Sequence, residues 1–575
     1  MRESSLKKKF METRVCQNCK SEFRIEPEDF AFYEKMQVPP PTFCPACRLQ
    51  RRLMFRNERS LCKRMCAQCG KSMITMHSPD KDRVVYCNPC WWSDTWDANA
   101  YAMDYDHGRS FFEQFRELRS RVPFMALISE YPTLINSEYV SHAGHIRDSY
   151  FVFNADYTKY SAYLVNTANA KECLDGQVIH NSELLYEGIN VDKSSGIYFS
   201  EDIDASHSIY FSKNLTGCAD CFGCINLRNK RYHIFNEPYS PEAYKEKLVA
   251  YDMGSFQAVQ KLREQAWDFW LQHPHKAMHS SHNVNASGDY IYNSKNVKES
   301  YLVDGAEDVK YSQWIKMAPV KDAYDYIEWG AGAEQVYECI TAGQGIQNVR
   351  MSHAVWMGPA IDIEYSMYLT SSSHMFGCIG MRKKEYHILN KPYTREEYTA
   401  LRERIIADMN ARPYTDSAGR TFTYGEFFPY DLSLYDYTES TAQEYFPLTQ
   451  AETERSGWRW KEKEHTKYDI TVQTGDLPDH IRDVQDGILQ EIIGCPSCGR
   501  AYRIVPQELK LLRRFGFPLP RICFDCRHRA RLARMTPMRF FDRLCATCNT
   551  AIRTAYSADR PEIIYCESCY NAEVA

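Results

Sequence analysis

Residues Ser195–Asn226 read SGIYFSEDIDASHSIYFSKNLTGCADCFGCIN, and within them apolar or aromatic positions and Asn/Asp positions recur every 12 residues. Working outward, one column runs Tyr150, Ala162, Leu174, Tyr186, Tyr198, Tyr210, Phe222, Ile234. A second, four positions on, runs Asn154, Asn166, Val178, Asn190, Asp202, Asn214, Asn226 and ends at Pro238. A stack of like turns produces such columns, because each turn sets a position above its predecessor at about 4.8 Å, where side-chain amides can hydrogen-bond along the stack. An α-helical repeat is disfavoured: such units run from about 33 residues upward, and these segments are rich in Tyr, Ile, Val, Ser and Asn. The period predicts a parallel β-solenoid, with a coil of either 12 residues or two 12-residue halves.

The array occurs twice. Ser149-Tyr150 and Lys159-Tyr160-Ser161 recur 151 residues on as Ser300-Tyr301 and Lys310-Tyr311-Ser312. Phe222-Gly223-Cys224, Tyr232-His233-Ile234, Asn236 and Pro238-Tyr239 recur 154 residues on as Phe376-Gly377-Cys378, Tyr386-His387-Ile388, Asn390 and Pro392-Tyr393, so three residues are inserted between. A helix is predicted after each array, from Pro241 to about Tyr251 and from Arg395 to about Asn410, the second opened by the capping box Thr394-x-x-Glu397. Such helices would cap strand edges otherwise left open. The expected fold is mainly β: a tandem parallel β-solenoid flanked by small zinc-ribbon modules, with a few capping helices and all-β continuity between the arrays.

Sixteen of the 23 cysteines form eight Cys-x-x-Cys pairs. Cys16/Cys19, Cys44/Cys47, Cys66/Cys69 and Cys87/Cys90 map onto Cys495/Cys498, Cys523/Cys526, Cys545/Cys548 and Cys566/Cys569 at a constant offset of 479 residues. Two such knuckles supply four thiolates to one tetrahedral zinc, and four-cysteine sites are closed, structural ones. The spacing predicts four zinc ions per chain, with sequential ribbons favoured over cross-braced sites. A module this small lacks a sufficient core, so metal binding supplies its folding free energy. Arg24-Ile25, Arg503-Ile504, Val85-Tyr86 and Ile564-Tyr565 are expected in strands beside the knuckles. Cys62 has Phe541 as its counterpart and is expected to be a buried hydrophobe, not a ligand. Cys218-x-x-Cys221-x-x-Cys224 and Cys173 resemble a metal tract, yet the second array keeps only Cys378, so packing is the expected role. His233 and His387, at matched positions, are read as structural.

The net charge of -5 hides an asymmetry: residues 1–93 carry +8, residues 494–575 carry +7, and the middle carries -20. Basic ends suit an anionic partner, or they dock on the acidic centre. Arg48, Arg51 and Arg52 follow one knuckle, and Arg527, Arg529, Arg531 and Arg534 follow its counterpart. A helix there sets Arg48 and Arg52, or Arg527 and Arg531, one turn apart, exposed and suited to phosphate contacts. No apolar run is long enough to cross a membrane, and Met1–Phe10 lacks the apolar core of a secretory signal. Paired thiols without an export signal fit metal ligands in a reducing compartment, the cytoplasm.

The expected division is a double zinc-ribbon module over 1–93, a helical connector over 94–136, the first array with capping helices over 137–280, the second with its helix over 281–411, a linker with short helices over 412–493, and a second double ribbon over 494–575. Phe111–Arg121 is expected to be an amphipathic helix, a short helix is expected after Thr449-x-x-Glu452, residues 412–475 are expected to pack loosely, and His480–Ile493 is expected to be helical.

Cys16–Arg48, with its Phe-Arg-Ile and Pro-Pro-Pro-Thr-Phe-Cys-Pro-Ala-Cys-Arg runs, the segment GCADCFGCINLRNKRYHIFNEPYS (Gly217–Ser240), YGEFFP (Tyr424–Pro429) and EYFPLT (Glu444–Thr449) resemble an uncharacterised family of bacterial zinc-ribbon proteins, over nearly the whole chain. The first ribbon of each end is similar to a widespread zinc-ribbon domain class. The resemblance supports the architecture and implies no activity. The expected function is a non-enzymatic scaffold whose basic ends bind nucleic acid or a ribonucleoprotein. A protein-interaction adaptor using the tyrosine-rich solenoid is the alternative, and a polysaccharide-active β-helix enzyme is a third class, opposed by the lack of a repeated carboxylate or His cluster.

Overall fold

A computed structural model describes residues 11–462 and 468–574, so Met1–Phe10 lies outside the described residues. The molecule is mainly β, with 12 α-helices among the described residues. The centre holds two long sheets, one of 12 strands between Val140 and Pro238 and one of 15 between Ser280 and Pro392. In the first, each strand pairs in parallel with the segment 12 residues on: Tyr150 with Ala162, Leu174 with Tyr186, Tyr198 with Tyr210. In the second the advance varies between 11 and 14 residues, as in Ile291 after Ser280, Ser300 after Gly288, Val336 after Ala323 and Ala360 after Ile346. The extra residues fall at turns such as Ala331-Gly332 and Gln344-Gly345, where the added length bulges outward.

Within each rung the chain turns every three residues. Along the first array every third residue is buried: Ser149, Val152, Ala155, Thr158, Ser161, Leu164 and so on to Cys224. Two positions after each buried residue the backbone is left-handed, at Asn154, Asn166, Asn190, Asp202 and Asn214 among many others. That conformation costs most side chains energy and costs Asn and Asp least, which gives the Asn/Asp column a backbone reason. The amide ladder is present too: Asn190 Nδ2 donates to Asp202 Oδ1 at 2.8 Å and Asn214 Nδ2 to Asn226 Oδ1 at 2.7 Å. Buried serines tie the rungs together, each Oγ accepting from a backbone N–H one rung on, as Ser194 does from Ser206 at 3.1 Å.

The centre is not one continuous β body. An antiparallel turn, Arg231–Ile234 with Glu237–Pro238, ends the first sheet, and two helices, Pro241–Ala250 and Phe256–Leu271, separate it from the second. The second array ends likewise in Glu385–Ile388 with Lys391–Pro392, then the helix Arg395–Ala411 opened by the Thr394/Glu397 capping box. The helices Phe111–Arg121, expected from its amphipathic pattern, and Gln450–Arg455, expected from its capping box, both form.

Two expectations about the 412–493 segment are corrected. Its aromatic run is tightly packed: Phe427, Phe428, Leu432, Leu434, Tyr435 and Tyr437 are all buried in the largest core of the protein. Residues 481–490 form two short 3-10 turns, Ile481–Asp483 and Asp486–Gln490, not a helix, because their apolar side chains pack individually against the Phe256–Leu271 and Pro506–Phe515 helices. No helix among the described residues is long and apolar enough to cross a membrane.

Candidate metal centres

The second knuckle of each group opens a helix, whereas each leading knuckle is a tight turn. The residue after its second cysteine is left-handed in all four leading knuckles, at Lys20, Gly70, Gly499 and Asn549, and its N–H returns to the carbonyl of the first cysteine at 2.9–3.1 Å. Antiparallel hairpins present all four: Glu12–Val15 with Glu22–Ile25, Cys62–Met65 with Ser72–Thr75, Ile493–Gly494 with Ala501–Tyr502, and Phe541–Leu544 with Ala551–Thr554. Val85–Tyr86 and Ile563–Tyr565 are strands as well, whereas Arg503-Ile504 is not.

The structure gathers the sixteen paired cysteines into four sequential groups: Cys16, Cys19, Cys44, Cys47; Cys66, Cys69, Cys87, Cys90; Cys495, Cys498, Cys523, Cys526; and Cys545, Cys548, Cys566, Cys569. In each group the four sulfurs lie within 4.8 Å of one another, and near pairs such as Cys19/Cys44 and Cys498/Cys523 are 3.7 Å apart. A tetrahedron of that edge places its centre about 2.3 Å from every sulfur, the length of a zinc–thiolate bond. These four groups can therefore hold metal ions. Backbone N–H groups support the thiolates: Cys44 N donates to Cys16 Sγ and Cys523 N to Cys495 Sγ, both at 3.3 Å. Asn18 adds a bond to Cys47 at 3.4 Å and Arg529 one to Cys526 at 3.0 Å. Such bonds spread thiolate charge and fix ligand orientation.

The other cysteines stand apart. Cys62 is half-buried and its thiol faces the Thr75 and His77 carbonyls. Cys173, Cys218, Cys221, Cys224 and Cys378 are buried in the arrays with thiols against backbone carbonyls. Burial pushes Cys173 and Cys378 up to about 12, so both stay protonated and unreactive near neutral pH. His233 and His387 each bond a backbone carbonyl two residues away.

The expectation that the arginines face solvent is overturned. Arg48, Arg51, Arg52, Arg527 and Arg531 are each no more than 4% exposed. The Pro45–Leu53 helix lays its guanidinium groups on the second array. Arg48 pairs with Asp325 at 2.8 Å, Arg52 bridges Asp325 at 3.1 Å and Glu338 at 2.6 Å, and Arg51 bridges Glu338 at 2.9 Å and Glu426 at 3.0 Å. The Phe524–Arg534 helix lies on the first array in the same way. Arg527 meets Asp175 at 2.8 Å and Glu508 at 2.7 Å, Arg531 meets Asp175 at 3.0 Å and Glu187 at 3.1 Å, and Arg534 reaches Glu201. Arg529 alone of the seven is exposed. The acidic partners sit one rung apart in each array, so two arginines one helical turn apart meet two stacked carboxylates. The physical reason for burial is thus charge complementarity within the chain: the first ribbon of each end docks on the array farther from it in sequence. Sequence spacing showed the arginine pairs but not Asp175, Glu187, Asp325 and Glu338, whose signal is one acid following the Leu174/Tyr186 and Tyr324/Tyr337 columns.

Compared with known proteins, the chain matches no protein-family model and no curated protein.

Proposed function

We propose that this chain is a non-enzymatic, zinc-clasped adaptor: a tandem parallel β-solenoid of 12-residue coils, held shut by its own zinc ribbons, that docks other proteins on its surface. The observation that carries this reading is the burial of Arg48, Arg52, Arg527 and Arg531 against carboxylates of the same chain. Guanidinium groups spent in this way are not available to phosphates. The near-tetrahedral sulfur groups support zinc, which takes four thiolates without preference for other geometry. Unpaired, metal-ready thiols suit a reducing compartment, and we place the protein in the cytoplasm. The ribbons at 1–93 and 494–575 act in this reading as clamps and the arrays as the body.

Elemental analysis of protein purified without added metal should find four zinc ions per chain. The alternative, nucleic acid or a ribonucleoprotein as partner, is tested by fluorescence anisotropy with labelled DNA and RNA at two salt concentrations. The adaptor reading expects no binding at low salt. Saturable binding with a steep salt dependence, about 0.9 in log–log slope per phosphate contact on duplex DNA, would hand the lead to the nucleic-acid reading.

A further inference from the structure

Beside each arginine joint, the ribbon and the array bound a groove, and the two grooves are filled differently. At the N-terminal joint the occupant is the chain's own segment Phe422–Phe428, FTYGEFF. Phe422 stacks on Phe43 with ring centres 5.5 Å apart, and Phe427 and Phe428 lie 5.2 and 5.7 Å from Phe55. The Glu426 carboxylate accepts from Thr42 N at 2.7 Å and from Arg51 at 3.0 Å. On the array side Tyr365 packs against Tyr424 and Phe428, and its hydroxyl accepts from Gly425 N at 2.8 Å.

At the C-terminal joint the corresponding space is a cavity of about 460 Å³. Its ribbon wall is built from Pro518, Arg521, Ala530 and Arg534, which stand at the 479-residue offset from Pro39, Thr42, Arg51 and Phe55. Its array wall includes Phe211, which occupies the rung position of Tyr365, since Tyr210 pairs with Phe222 as Glu364 pairs with Phe376. Phe199, Trp267 and Trp270 complete an aromatic lining. Trp270 is 4% exposed, and its indole N–H finds no hydrogen-bond partner among the described residues. Two cations border the space beside the carboxylates of Glu187 and Glu264, and neither makes an ion pair shorter than 3.8 Å among the described residues. Arg521 donates only to the Thr474 and Pro478 carbonyls, both at 2.8 Å. Arg263 lies over Phe199, and its nearest carboxylate, Glu187 at 3.8 Å, is already bonded by Arg531.

We propose that this cavity is the docking groove for a short aromatic–acidic segment of a partner protein, of the kind that Tyr424–Phe428 supplies to the other groove. Its rings lie on Phe199, Phe211 and Trp267, its carboxylate meets Arg263 and Arg521, and a backbone carbonyl takes the Trp270 N–H. The internal duplicate defines the chemistry of the missing occupant: rings for the array wall and one acid for the ribbon wall. The inference rests on the adaptor reading and names the surface that reading needs.

The test uses the full-length metal-loaded chain and a fluorescein-labelled peptide of residues 421–430, TFTYGEFFPY, in anisotropy titrations. The covalent segment keeps the N-terminal groove occupied, so the added peptide reports on the open one. Saturable binding of one peptide per chain is expected, about tenfold weaker for the peptide with Gln in place of its Glu. Arg263→Glu should weaken the parent peptide by at least about tenfold and restore affinity toward a peptide carrying Lys at that position, a rescue that misfolding could not produce. Ala266→Trp, which fills the cavity, should abolish binding at an unchanged melting temperature. The proposal is overturned by no saturable binding into the millimolar range, by binding that survives both variants, or by 2-naphthoate binding as tightly as the peptide, which would mark a small-molecule site. It is equally overturned if the chain self-associates and the peptide dissolves that association, since the occupant would then be a second copy. Failure of the peptide leaves the adaptor reading standing on the nucleic-acid titration, so the two can fail separately.

Discussion

The two ends of this protein use one frame with two fillings. In both, a helix after a metal knuckle puts two arginines one turn apart onto two carboxylates one rung apart: Arg48 and Arg52 on Asp325 and Glu338, Arg527 and Arg531 on Asp175 and Glu187. In one, the chain then closes the joint with its own Phe422–Phe428; in the other, aromatic walls face an open cavity. The difference shows that a ribbon docks on an array without a segment like Phe422–Phe428, because at the C-terminal joint the ribbon's own Phe517 and Phe524 pack on Tyr186, Phe199 and Tyr163. Filling is therefore separable from docking. The crossing adds a second lesson: the first ribbon of each end clamps the array more distant in sequence, so the clamps tie the two ends of the chain around its middle.

The largest effect should come from cutting a metal site. Structural zinc is worth roughly 10–16 kcal/mol apparent in small modules, so with zinc in the cysteine groups as proposed, Cys44→Ser and Cys523→Ser should each unfold one first ribbon. Crossed docking then makes an unequal demand on the arrays. Cys44→Ser should strip amide-exchange protection from Val320–Gly343 and spare Lys171–Asp192, and Cys523→Ser should do the reverse. Deprotection of the array adjacent in sequence, in either variant, would break the crossed arrangement.

Next come the joints. Removing one member of a buried ion pair leaves its partner desolvated and uncompensated, at about 3–5 kcal/mol. Arg52→Met and Arg531→Met should both lose that much in urea unfolding, and adding Glu338→Gln to Arg52→Met should recover part of the loss. A loss below about 1 kcal/mol for either would mean the joint is not what holds that ribbon.

The filling separates the halves more finely. Phe428→Ala empties a packed position and should cost about 3–5 kcal/mol. Trp267→Ala, on the wall of the open cavity, should cost only about 1 kcal/mol, because one face of the ring borders the cavity and its ring contact is an edge-on one with Trp270. Equal costs would mean that the C-terminal groove is as well filled as the N-terminal one.

How much of this was legible in the sequence depends on how rigid the underlying geometry is. The sixteen cysteines were, because a tetrahedral site tolerates no slippage between knuckles. The 12-residue period was, because paired rungs repeat the same surroundings. The three-residue turn within each rung was missed, although Ile197, Ser200, Ile203, Ser206, Ile209 and Ser212 display it in the opening stretch. The eye follows the large tyrosines at period 12, whereas the buried positions are small or aliphatic and alternate in polarity. The destination of the arginines was illegible for another reason: Arg48 and Asp325 are 277 residues apart, and a period shows that acids stack without showing which helix covers them. Residues 422–428 were hidden by composition, since Pro, Tyr, Thr and charges in the surrounding stretch read as a linker while their rings build core.

A further contrast between the arrays is titration at a single matched position. Ile189 pairs with Glu201 in the first array and Ile340 with His353 in the second, so Glu201 and His353 occupy the same place on the same rung. Burial would raise the Glu201 carboxyl, but Arg534 and Lys213 overcome it and hold it down at about 2. Burial, with the charge of Arg56, pushes His353 down to about 3. Both groups release protons more readily folded than unfolded, so both contribute stability that disappears on acidification, in different windows. For His353 the unfolded value is near 6.5 and the contribution is complete above it, falling by about 1.4 kcal/mol per pH unit below. For Glu201 nothing is lost until pH falls below about 4.5. Between pH 6.5 and 5, His353 should therefore weaken amide protection in the second array by about 2 kcal/mol, whereas Glu201 contributes nothing in the first, where His142 and His180, both pushed below the usual histidine range by burial, add a decline of their own. His353→Gln should remove that part of the second array's response and leave the first array's unchanged, and an unaltered response in the variant would show that other groups, not this position, carry the pH dependence.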